Sequence, residues 1–154
     1  MLDQADSLVQ APRGAAKIFD SGEVAAELKR LGGLHAGRER ELRSAVAQYL
    51  KGAQAAGRAA AEGMLLEDRH GRLCAERLCF MQDELIRLLF EFAGQQLYRS
   101  DNPSEAERMA VIATGGYGRG LLAPGSDIDL LFLLPYKRTA WSERAQWPHR
   151  GIWA

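Results

Sequence analysis

Two aspartates one residue apart, Asp127 and Asp129, stand at the head of an apolar run in GGYGRGLLAPGSDIDLLF, residues 115–132. On an extended chain, residues i and i+2 point to the same face, so the two carboxylates project side by side. Carboxylates that close disfavour each other's ionisation unless a cation accompanies them. A hard divalent ion such as Mg²⁺ suits an all-oxygen pair of this kind, with nucleotide phosphates completing its shell. Upstream, Gly115 and Gly116 lack the side chains that would hold an anion away from backbone N–H groups, and a short helix starting there would add a favourable dipole. Arg119 lies on the same turn and carries a fork of donors suited to phosphate oxygens. Ser126 precedes the aspartates, where a serine either contacts phosphate or caps a turn. Singly, a glycine cluster marks a tight turn and an Asp-x-Asp pair a solvated strand end. In combination they are the parts of a metal–nucleoside triphosphate site.

Two familiar phosphate loops do not fit. A dinucleotide fingerprint needs glycines at i, i+2 and i+5, but counting from Gly115 puts Tyr117 second, and counting from Gly116 puts Leu121 third. A Walker loop needs Gly-Lys-Ser/Thr at its end, and Gly120 is followed by Leu121 and Leu122.

The elements that must position these residues follow from the pattern around them. RMAVIAT, residues 108–114, predicts a short buried strand, and SDIDLLFLLP predicts a second strand ended by Pro135. Before them, Leu78, Met81, Leu85, Leu88, Leu89 and Phe92 recur at helical spacing, and Leu42, Val46, Tyr49, Leu50 and Ala53 mark one face of another helix. Gly52 and Gly57 weaken the second half of that earlier helix, and DRHGRL separates the two, which are expected to pair as an antiparallel hairpin. A short helix is expected from Glu23 to Leu31, stopped by Gly32 and Gly33. The expected fold class is α/β (α+β): a helical hairpin, then the start of a mixed sheet. The expected organisation is a flexible arm over 1–22, a helical region over 23–100, a partial sheet domain over 106–141 and an aperiodic tail over 142–154.

The 154 residues carry twenty basic and twenty acidic side chains, so no global field points to nucleic acid or a membrane surface. The N-terminal stretch lacks the basic start and apolar core of a signal peptide, and the longest strongly apolar run, Leu130 to Leu134, is too short to span a bilayer. Cys74 and Cys79 read as reduced thiols in a helix, which with the absent leader implies a cytoplasmic protein. His35, His70 and His149 have no metal-ligand spacing.

The glycine pair followed by Asp127-Ile128-Asp129 resembles the signature of the DNA polymerase beta-like nucleotidyltransferase superfamily. The finer text GGYGRGLLAPGSDIDLLFLLP is similar to the PII uridylyltransferase/uridylyl-removing enzymes of bacterial nitrogen regulation, over residues 108–141. That resemblance implies transfer of a uridylyl group from UTP to a tyrosine of the PII protein. Asp127 and Asp129 would be the catalytic Mg²⁺ ligands, and Gly115, Gly116, Arg119 and Ser126 would hold the triphosphate. It also implies a third carboxylate on a later strand. After Asp129 the one acidic residue is Glu143, in the aperiodic stretch that holds Trp141, Trp147 and Trp153, and it is not read as that ligand. The expectation is therefore an N-terminal fragment with half an active site and no turnover of its own, without hydrolase or regulatory domains. Two alternatives stand beside it. One is a partner-binding module with residual nucleotide affinity. The other is a related nucleotidyltransferase such as glutamine synthetase adenylyltransferase, whose glycine turn differs.

Overall fold

A computed structural model describes residues 11–97 and 110–133. Three helices make up most of it: α1 (Ser21–Leu34), α2 (Glu39–Asp68) and α3 (Gly71–Phe92). A short π-helical segment, Ala93–Leu97, continues α3. The remainder is a 3-10 turn (Ala15–Lys17), β1 (Ala110–Ala113), the single turn α4 (Gly115–Gly118) and β2 (Leu130–Leu133). Among the described residues no helix is long and apolar enough to cross a membrane.

The helix boundaries follow from local chemistry. Asp20 caps α1 by accepting from the N–H groups of Gly22 and Glu23 at 2.9 and 3.0 Å. Helix α1 passes through the glycine pair expected to stop it and ends at Leu34. A Cβ on Gly32 would lie 3.4 Å from the Phe92 ring, so this glycine is where α1 packs against the end of α3. Helix α2 runs unbroken through Gly52 and Gly57. Gly57 is buried, and a Cβ there would sit 2.8 Å from the Ile18 carbonyl oxygen. The propensity lost at Gly57 is offset by close approach of the chain. Arg69, in the left-handed region at φ 52°, ends α2, and His70 Nδ1 accepts from Leu73 N–H to open α3.

Helices α2 and α3 form the antiparallel hairpin. The Ala61 carbonyl oxygen accepts from Cys74, Gly57 lies against Met81 and Gln54 bonds Gln82, so contacts climb one helix as they descend the other. Leu42, Val46, Leu50, Leu78, Met81, Leu85, Leu88, Leu89 and Phe92 are all buried in one core, while Tyr49 and Ala53 pack at its margin. Cys74 and Cys79 are buried free thiols on α3.

Residues 11–22 depart from the expected loose arm. Ala15, Ile18 and Phe19 are buried, and Arg77, itself buried, donates from Nε to the Arg13 carbonyl oxygen at 2.9 Å and from Nη1 to Asp68 at 2.8 Å. The segment is too short to show a period, yet its two large apolar side chains join the helical core and the Ile18 carbonyl lies against Gly57. The His70 backbone N–H and then the Arg77 guanidinium hold the Asp68 carboxyl below its ordinary range.

Strands β1 and β2 pair antiparallel, with Ala110 opposite Leu133 and Ala113 opposite Leu130. One side of this ribbon, through Val111, Ala113, Ile128 and Leu130, packs on the helical core. The other is open: Ile112, Leu131 and Leu133 are 40%, 48% and 46% exposed. The expected buried strand over 108–114 is thus half-buried, because the helices cover one face only. Pro135, Trp141, Glu143, Trp147, His149 and Trp153 lie outside the described residues.

Candidate functional site

The glycine turn and the aspartates meet at the end of the ribbon. Thr114 donates its N–H to the Asp129 carbonyl oxygen at 2.9 Å and its hydroxyl to the same oxygen at 3.3 Å. These bonds continue the ladder one step beyond β2, so Asp129 stays extended although it precedes the strand. Exposure alternates from Asp127 to Phe132: Asp127, Asp129 and Leu131 face outward, Ile128, Leu130 and Phe132 inward. Both carboxylates therefore stand on the open side of the ribbon, away from the helices.

Gly115 follows Thr114 at φ 62°, a conformation that costs an L side chain. A Cβ there would lie 2.7 Å from Asp129 Oδ2. The missing side chain leaves room for the Asp129 carboxylate directly over the start of the turn. The expected short helix is α4, one turn long, so it has no macrodipole of consequence. What it offers is backbone. The first N–H groups of a helical turn have no acceptor within it, and here they belong to Gly115, Gly116 and Tyr117. Arg119 is exposed and folds back, its Nη2 3.9 Å from where a Gly116 Cβ would be. Ser126 is partly buried and closes the Ala123–Ser126 turn by donating its N–H to the Ala123 carbonyl oxygen at 3.0 Å. Pro124 and Gly125 at φ 77° give that turn the form of a type II β-turn. The backbone role of Ser126 is thus structural, and its position is immediately before the carboxylate pair.

The donor set fits a divalent cation. Two exposed carboxylates share one face, and their oxygens suit Mg²⁺, which keeps water and phosphate ligands alongside protein ones. Among the described residues no group of three or more His, Cys, Asp or Glu gathers around one point. The remaining ligands would come from water, phosphate oxygens or other polypeptide.

Four participants escape a reading of the motif alone. Thr114 sets the register of Asp129, as above. Gly118 is sterically obligatory, since a Cβ would lie 2.5 Å from the Ala113 carbonyl oxygen. Tyr117, the one large side chain in GGYGRG, turns inward, is 5% exposed and donates its hydroxyl to Asp83 Oδ1 at 2.5 Å. Asp83 lies on α3, where burial pushes its carboxyl up and the Tyr117 hydroxyl pulls it back. Burial, and then the neighbouring Asp83, push the Tyr117 phenol far above its ordinary value. Sequence does carry one signal for Asp83: Cys79, Asp83, Ile86 and Phe90 share a second stripe of α3, and a carboxylate in it needs a partner. A cavity of about 370 Å³ opens beside this pair, between α3 and the inner side of the ribbon, lined among others by Ile86, Phe90, Val111 and Leu130. It lies on the opposite side from the aspartates.

The family model of the nucleotidyltransferase domain matches residues 99–153, continuing past Trp141, where the resemblance read from sequence ends. The bifunctional uridylyltransferase/uridylyl-removing enzyme of Bradyrhizobium sp. (strain ORS 278) is 63% identical over 126 residues, 82% of this chain and 14% of the relative. The protein of the same name from Nitrobacter hamburgensis is 58% identical over 131 residues, 85% of this chain and 14% of the relative. That from Rhodopseudomonas palustris is 58% identical over 126 residues, again 82% and 14%. The chain thus spans about one seventh of the length of these curated relatives. No solved structure gives a significant match. With the glycine turn and the aspartate pair in place, the chain belongs to the bifunctional uridylyltransferase/uridylyl-removing enzyme family and carries sequence of its nucleotidyltransferase domain.

Proposed function

We propose that the unit formed by β1, α4 and the Asp127–Asp129 pair binds Mg²⁺·UTP for transfer of a uridylyl group to a tyrosine of the PII regulatory protein. The observation that supports this reading is the seating of the Asp129 carboxylate over Gly115, beside the first N–H groups of the turn. Asp127 and Asp129 hold Mg²⁺, which when bound offsets the charge of the triphosphate oxygens. The N–H groups of Gly115 and Gly116 receive phosphate oxygens, with Arg119 and Ser126 at the two ends of the intervening loop. The acceptor phenol oxygen bonds to the α-phosphorus, the bond to the bridging oxygen breaks, pyrophosphate leaves, and the phenolic proton passes to base. Because UTP is a cytoplasmic substrate, this reading implies a cytoplasmic protein, with neither nucleic acid nor membrane as partner.

Equilibrium dialysis of UTP with the chain tests it. Binding is expected to require Mg²⁺ and to weaken at least tenfold in Asp127→Asn and Asp129→Asn, with thermal unfolding unchanged. UTP bound equally well in EDTA, or equally by Asp129→Asn, would sink the reading. Competition by ATP separates uridylyl from adenylyl specificity, and labelling of PII from α-labelled UTP decides the acceptor.

A further inference from the structure

The glycine turn is held on the helical hairpin at two points that flank its exposed part. Tyr117 enters the core before it and Leu122, 3% exposed, after it, and both belong to the cluster built on α3. Their contacts on α3 are one helical turn apart. The Tyr117 hydroxyl meets Asp83, and the backbone of Leu122 meets the sulfur of Cys79, a thiol pushed up to about 11 by burial and eased down by that Leu122 contact. Between the anchors, Gly118, Arg119, Gly120 and Leu121 are exposed. Two anchors at i and i+4 on a rigid helix fix the direction of a turn that its own glycines leave free.

We propose that Asp83 is a positioning residue for the phosphate turn, acting through the Tyr117 hydroxyl, so that the helical hairpin sets the geometry of the nucleotide site. This rests on the Mg²⁺·UTP reading for what the turn binds, and on the hydrogen bond alone for what holds it. A buried tyrosine needs its apolar ring packed, which a phenylalanine satisfies. It needs a carboxylate opposite only if the hydroxyl has to be held at one point.

Limited trypsin digestion of the full chain separates release of the turn from loss of the fold. Cleavage of the Arg119–Gly120 bond reports the turn. Cleavage of the Arg58–Ala59 bond, inside α2, reports opening of the hairpin. Tyr117→Phe and Asp83→Leu are expected to raise the Arg119/Arg58 cleavage ratio about tenfold, as for loss of one partly buried hydrogen bond to a charged group. The affinity for Mg²⁺·UTP should fall in step. Asp83→Asn, which keeps an acceptor, should stay within about twofold of the original ratio. A ratio unmoved in both Tyr117→Phe and Asp83→Leu overturns the proposal, as does an Asp83→Asn indistinguishable from Asp83→Leu. If the unsubstituted chain binds no Mg²⁺·UTP while the ratio responds, the nucleotide reading falls and the anchoring stands. If it binds and the ratio does not respond, the reverse holds.

Discussion

The helical region and the strand–turn–strand region are built on opposite terms. From Ala15 to Ala93 the apolar stripes of the helices close on one another. From Ala110 to Leu133 one side of a two-stranded ribbon leans on that core, while the other side carries Asp127, Asp129 and three exposed large apolar residues. Two strands are marginal by themselves, so the ribbon takes its order from the helices through Val111, Ala113, Tyr117, Leu122 and Leu130. Stability and chemistry are thus separated in the chain and joined at α3. A lesion in the helices should remove both, and a lesion in the turn should remove the chemistry alone.

The strongest way to break that separation is in the hairpin core. Leu85→Ala, at a side chain 1% exposed, should cost about 3 kcal/mol and lower the urea midpoint of helix and ribbon signals together. If the ribbon signal survived after the helix signal had gone, the dependence claimed here would be wrong. Next in size is Gly118→Ala, whose Cβ would press on the Ala113 carbonyl. It should cost about 2 kcal/mol, confined to the turn, with α2 amides keeping their hydrogen-exchange protection. Gly125→Ala, at φ 77°, should cost about 1 kcal/mol and loosen the loop before Ser126 without weakening the hairpin.

A subtler test uses pH. Asp83 has a raised carboxyl pKa in the folded state, so the folded form binds more protons than the unfolded one just above the ordinary value of 3.8. Stability should therefore fall as pH rises through that window and level off above the raised pKa. Asp83→Asn should remove this descent. Asp68 has the opposite sign: its depressed carboxyl contributes stability present above 3.8 and lost as pH falls through its folded value. Melting curves of the two Asn variants across the acid range distinguish the two carboxylates. Smallest of all should be Leu131→Thr on the open face, expected to shift stability by no more than about 0.5 kcal/mol. A larger loss would mean that this face is covered.

Periodicity carried most of the helical architecture, because a stripe repeated over several turns is redundant and one glycine cannot erase it. Gly57 shows the limit. By propensity it argues against a helix, and in the fold it is the point where α2 meets Ile18 and Met81. Residues 11–20 were misread for the converse reason, since two apolar residues in a short segment have no period to display. The candidate site residues were legible as types and spacing. Asp127 and Asp129 on one face required only that the backbone be extended, and a strand-like run after them made that the expectation.

What sequence could not determine was which way the ribbon would face and what would hold the turn. An amphipathic pattern of four residues is satisfied with either side buried until a neighbour takes one. Likewise, Tyr117 in a glycine turn is equally at home in solvent or core until Asp83 stands opposite it. Local composition and spacing determined the helices, the turn and the carboxylate pair, because those depend on residues within a few positions of one another. Packing on α3 decided the orientation of the ribbon and the anchoring of the glycine turn, because those depend on surfaces brought together from distant parts of the chain.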